Sequence, residues 1–163
     1  MSLTTRLAGF AGLPIRDKAL LVTAWGLITL AAGMLRLVPF RRLAPLLGVP
    51  IGPVACLPLV DKRQQYRAHA IRRAVLRAAR IAPFRSDCLP QALVAAVLCR
   101  ALHVPAAVHL GVKLDQGPVP MAAHAWVACG PVAVTGGYGF RTYAPVACFV
   151  SPWLAGRPAG IRL

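Results

Sequence analysis

Apolar residues recur along this chain in three patterns, and each predicts a different kind of element. Between Lys18 and Arg36 runs ALLVTAWGLITLAAGML, seventeen residues without a charge, which predicts a helix with no polar face of its own. A bilayer span takes about 20 apolar residues, and this run is shorter and carries two glycines and two threonines. It also starts late for a secretory signal and lacks a small-x-small cleavage site. The favoured reading is a helix packed on a domain or a partner; the other is membrane association through residues 19–35, inserted or in plane. Residues 1–16 read as a lead-in or a short first helix.

The second pattern has a period near 3.6. From Asp61 to Ala82, Ile71, Val75, Ala78 and Ala79 fall toward one side and Arg73, Arg77 and Arg80 toward another. Asp61 suits the N-cap and Pro83 the stop. A further helix is predicted over FRSDCLPQALVAAVLCR, residues 84–100. Proline fits only the first turn, so Pro90 puts the cap at Asp87 or Cys88, and the helix runs to about Leu102.

After Leu102 the period drops to two. Pro105–Leu114 predicts a half-buried strand, Asp115–Pro120 a loop, and His124–Cys129 a second strand. Gly130-Pro131 makes a turn, Val132–Gly137 a third strand, and Tyr143–Val150 a fourth. Helices followed by an antiparallel run predict an α+β domain over residues 61–163. Residues 1–60 form an N-terminal apolar helical region and a connector, where Pro39, Pro45, Pro50, Pro53 and Pro58 exclude a long regular element.

Composition narrows the partners and the chemistry. The chain has 163 residues, enough for one domain with a real core. Lys and Arg total 19 against four acidic residues, all aspartate, for a net charge of +15. Such a field attracts polyanions, although a solvated basic surface has the same composition. No nucleic-acid module and no aromatic-basic interleaving is present, so nucleic acid is not an expected partner. Five cysteines, at 56, 88, 99, 129 and 148, form no CxxC pair. The odd count suits a reducing, cytoplasmic setting better than a disulfide framework. Cys99 and His103 have helical i, i+4 spacing, but no second close ligand pair accompanies them, so no metal is expected.

Cys88 is the candidate for chemistry. Backbone N–H groups in the first turn of a helix lack partners, and with the macrodipole they favour a thiolate. Of the four histidines, His69 lies on the arginine-rich helix and His103 lies about 20 Å along the cysteine's own helix. His109 sits between Val108 and Leu110 in mid-strand, where a histidine is more often structural. His124, at a loop-to-strand junction before Ala125-Trp126, is the better base. The residues alone leave two readings, a Cys88–His124 pair and a Cys88 that merely packs.

Cys88-Leu89 with its apolar helix, then LHVPAAVHLGVKL, then MAAHAWVACGPVAVTGG, resembles the transglutaminase-like proteases of lasso peptide biosynthesis. These leader peptidases are related to the C-terminal part of the microcin maturation protein. The resemblance covers residues 83–137, and the N-terminal apolar run with PFRRL extends it. It implies a transglutaminase-like or papain-like fold, in which a cysteine-bearing helix packs on a small antiparallel sheet and N-terminal helices precede it. Cys88 would be the nucleophile and His124 the general base, acting without a cofactor. Backbone N–H groups near Cys88 would hold the oxyanion, with Gln91 as a helper.

The family's third residue is usually an aspartate about a dozen positions after the histidine, where it orients the imidazole. Here that interval reads Val134-Thr135-Gly136-Gly137, so the Thr135 hydroxyl or a backbone carbonyl would do the orienting, with Asp115 a remoter alternative. Implied partners are a lasso precursor peptide, a separate leader-binding protein and an ATP-dependent lasso cyclase. The competing readings are a transglutaminase-like acyltransferase with the same residues and a non-catalytic basic membrane-surface protein.

Overall fold

A computed structural model describes residues 12, 14–82, 87–114, 121–137, 139–155 and 161–162. The short first helix expected within residues 1–16, the stop at Pro83 and the Asp115–Pro120 loop fall largely outside these residues.

Helix α1 (Ile15–Leu37) contains the whole uncharged run and extends past it to Arg16 and Arg36. By length and composition it could cross a membrane. One face is buried nonetheless, through Leu21, Ala24, Ile28 and Ala32, in the same core as the rest of the fold. After Pro39 come the short helix α2 (Phe40–Leu43) and a 3-10 turn (Ala44–Leu46).

The proline-rich stretch lacks a long element, as expected, but it also contributes to the sheet. Strand β1 (Val49–Gly52) pairs with a later strand through Val49↔Val150 and Pro50↔Phe149. Proline is admitted because β1 is an edge, where one side of the backbone needs no ladder partner. A two-residue strand, β2 (Leu57–Pro58), follows.

Helix α3 (Lys62–Ile81) opens on a reciprocal cap. Asp61 Oδ1 accepts from the Gln64 N–H at 2.7 Å, and Gln64 Oε1 accepts from the Asp61 N–H at 2.9 Å. Helix α4 (Cys88–Ala101) begins at the cysteine, with Asp87 in the N-cap position. It is the centre of the molecule, packed between α1, α3 and the sheet. Leu93, Val94, Leu98 and four alanines or cysteines on several of its sides are therefore buried. Each large apolar side chain removed from water here contributes about 1.5–3 kcal/mol.

The remaining elements are β3 (Ala107–Leu114), β4 (Met121–Cys129), β5 (Val132–Thr135), a 3-10 turn (Gly139–Arg141), β6 (Ala144–Val150), α5 (Pro152–Ala155) and β7 (Ile161–Arg162). One sheet runs β1-β6-β3-β4-β5 with every pair antiparallel, and β2 and β7 form a separate ribbon. Val108, Leu110, Ala125, Val127 and Cys129 join Ile28, Ile71, Val75 and α4 in the main core. The architecture is thus α+β, a cysteine-led helix on a small antiparallel sheet with helices ahead of it. Strand β4 starts earlier than its polar residue suggests, because Met121–Ala123 extend the pairing along Val112–Leu114. His124 consequently lies inside the strand, opposite Gly111, and not at its junction with a loop.

Candidate active site

Helix α4 presents Cys88 as its first residue, half-buried, and β4 carries His124. Both line one cavity of about 310 Å³, together with Phe40, Leu89, Leu110, Gly111, Val112, Ala123, Ala125 and Val146. Its lining is otherwise apolar, which lowers the local dielectric and strengthens charge interactions inside it. Among the described residues no hydrogen bond joins the thiol to the imidazole; catalytic contacts of this kind often tighten only when substrate binds. The N-terminal N–H groups of α4 beside Cys88 have no intrahelical acceptors and suit a developing oxyanion. Gln91 is half-buried one turn on, outside the cavity lining.

The orientation of His124 comes from the backbone. Its Nε2 lies 2.9 Å from the Gly136 carbonyl oxygen. A carbonyl only accepts, so Nε2 carries the proton and Nδ1 keeps the free lone pair, the tautomer a general base requires. Gly136 stands twelve positions after His124, in the interval where the resemblance leads one to expect aspartate. Its φ is +70°, and an added Cβ would come within 2.5 Å of the Ala125 carbonyl oxygen and 2.6 Å of Trp126 Cβ. Only glycine meets both demands.

Thr135 does not do the orienting. It is still inside β5, paired with Val127, and its buried hydroxyl has no hydrogen-bond partner. Gly136 is the first residue past the strand, free of the ladder, and its carbonyl can turn to the imidazole. Asp115 lies outside the described residues.

Aromatic rings hold the imidazole from the side. His124 stacks on Tyr143 at 4.9 Å and on Trp126 at 6.1 Å, and Trp126 stacks in turn on His109 at 5.2 Å. Phe140 meets the Trp126 indole edge-on at 5.2 Å. The indole has room because Gly111 and Gly139 lack side chains: a Cβ at either would come within 2.7 Å and 2.6 Å of its ring.

His109 is structural. It is fully buried, its Nε2 accepts from the Cys56 N–H at 3.1 Å, and burial lowers its pKa to about 4. His69 and His103 are exposed, the latter stacked on Trp153.

The other four thiols form two pairs. Cys99 and Cys129 are buried with their sulfurs 3.7 Å apart, and that contact, followed by burial, raises the Cys99 pKa. The Cys148 thiol is likewise pushed up, first by its hydrogen bond with Cys56 and then by burial. Cys88 is the only cysteine that is not buried. Among the described residues no three potential ligands gather around a metal position.

Tyr143 and Gly111 were not singled out from sequence, and Gly136 stood only within the Val134–Gly137 interval where a backbone carbonyl was one alternative. The Gly136-Gly137 pair closing a strand is the one signal that pointed near the site. Tyr143 had none.

No curated protein and no solved structure matches the chain. The family model of the transglutaminase-like superfamily matches residues 34–148, a span that includes Cys88, His124 and Gly136. With the cysteine-led helix, the histidine strand and nearly all of the small antiparallel sheet inside that span, the chain belongs to the transglutaminase-like superfamily, which includes cysteine proteases and acyltransferases.

Proposed function

We propose that this chain is the cysteine protease that removes the leader from a lasso precursor peptide during cytoplasmic maturation. The observation that carries this reading is the shared cavity of Cys88 and His124, with the His124 tautomer set by the Gly136 carbonyl. The lasso-protease resemblance of residues 83–137 supplies the substrate class.

Nδ1 of His124 takes the proton from Cys88 Sγ, and the thiolate attacks the carbonyl carbon joining leader to core. The oxyanion forms beside the first N–H groups of α4. As the C–N bond breaks, the imidazolium returns its proton to the core peptide's amine, leaving the leader as a thioester on Cys88. His124 then deprotonates a water, which attacks the thioester and releases the leader acid and the thiol. A separate leader-binding protein would present the precursor, and an ATP-dependent cyclase would use the freed amine.

The test is mass spectrometry of a candidate precursor incubated with this protein and a leader-binding partner. Leader and core should appear as separate peptides, with one water added across the pair. Cys88→Ala should leave the precursor intact, and iodoacetamide should label Cys88 before the four buried thiols. Cleavage by the Cys88→Ala variant, or no cleavage by the native chain, would remove the protease reading. An adduct of the leader with an added amine would favour the acyltransferase instead.

A further inference from the structure

Only one side of α1 is used by the fold. Leu21, Ala24, Ile28 and Ala32 are buried, while Val22, Trp25, Leu30 and Leu37 are exposed at 59%, 40%, 58% and 86%. No charge interrupts the outward face between Ala19 and Leu35. An apolar notch between Leu30, Met34 and Leu46 continues that surface toward α2. At about 1.5 Å per residue the 17 residues from Ala19 to Leu35 make an exposed apolar strip of about 25 Å.

The margins of the strip are cationic. Exposed Arg16 stands at one end, exposed Arg36, Arg41 and Arg42 at the other, and Arg77 lines the groove between α1 and α3. The one carboxylate in α1, Asp17, is already paired with Arg73 at 3.5 Å. A long apolar strip edged by arginines fits a flat anionic surface better than an acidic peptide, which would need the cations but not the apolar face. Trp25 adds an indole, which favours the membrane–water boundary.

We propose that the outward face of α1 docks the protein in plane on an anionic lipid surface. The helix does not span, because spanning would strip Leu21, Ala24 and Ile28 from the core they share with α3 and α4. Such helices sink their apolar face about 5–10 Å into the headgroup boundary and gain from anionic lipid. The proposal is independent of the reaction assigned to Cys88.

Co-sedimentation of the full chain with vesicles tests it. The chain should bind phosphatidylglycerol–phosphatidylcholine vesicles, bind phosphatidylcholine alone far less, and leave the membrane in alkaline carbonate. Leu30→Asp should weaken partition by about tenfold or more, with circular dichroism and melting temperature unchanged because Leu30 is exposed. Arg41→Gln and Arg42→Gln should each weaken it by roughly fivefold, as should high salt. Binding to neither vesicle, equal binding to both, unchanged binding by Leu30→Asp, or resistance to carbonate would each overturn the proposal. So would a chain that ignores vesicles and binds polyglutamate.

Discussion

A peptide carbonyl offers His124 a dipole where an aspartate would offer a full charge. That is enough to hold the Nε2–H tautomer and the ring's orientation, and it stabilises the imidazolium less. The proposed enzyme is therefore expected to turn over slowly compared with a carboxylate-bearing relative. Thr135 beside it adds nothing to this bond, since its buried hydroxyl has no partner. Thr135→Val should raise stability by about 1 kcal/mol, seen as a higher denaturant midpoint, because an unsatisfied hydroxyl is removed from the core. Precursor cleavage by the same variant should stay within about twofold of the native rate, whereas loss of a true orienting group would cost far more. At this scale Cys88 and His124, which line one cavity, were legible in sequence as a candidate pair, since a cysteine at a helix start and a histidine before Ala-Trp are side-chain signals. The orienting group was legible only as one of three alternatives, because a backbone carbonyl is present at every residue and marks none.

Strands β3 and β4 form the support on which the imidazole is aimed. Gly111 faces His124 across the pair, and the Trp126 indole occupies the space a side chain at Gly111 would take. Gly111→Ala brings a Cβ to 2.7 Å from that ring and should cost about 1–3 kcal/mol by overpacking. The displaced indole should also misplace His124, so cleavage should fall by about tenfold or more while Cys88 on α4 still alkylates normally. Gly26→Ala on the exposed face of α1 meets nothing within 4 Å and should instead stabilise by about 0.5–1 kcal/mol. Most elements could be read from local pattern, α1 and α4 from their apolar runs, α3 from its 3.6-residue period and β3 to β6 by alternation. β1 could not, because Pro50 argues against a strand until its position at the sheet edge is known. The start of β4 was missed for a related reason: Met121–Ala123 carry no alternation, and only their pairing with β3 makes them strand.

Over the whole molecule, burial of His109 couples stability to pH. Its pKa of about 4 in the fold lies below the ordinary histidine value of 6.5, so between these values the unfolded chain binds a proton that the native chain does not. Stability is therefore complete above about pH 6.5 and lost as pH falls toward 4, by on the order of 2–3 kcal/mol. Denaturant midpoints measured from pH 7 to pH 4.5 should fall along this curve; a flat profile would mean that His109 does not titrate as its burial requires. The amino-acid sequence by itself determined the three long helices and the order of β3 to β6 after them, the thiol at a helix mouth and the basic charge, because each follows from local spacing or simple composition. Tertiary structure alone decided that β4 and α4 share one cavity, that a glycine carbonyl holds the His124 ring, that four thiols pair off and that α1 keeps one face outside. Those outcomes depend on contacts between residues far apart in the chain and on backbone atoms common to every residue, and neither leaves a periodic trace along the sequence.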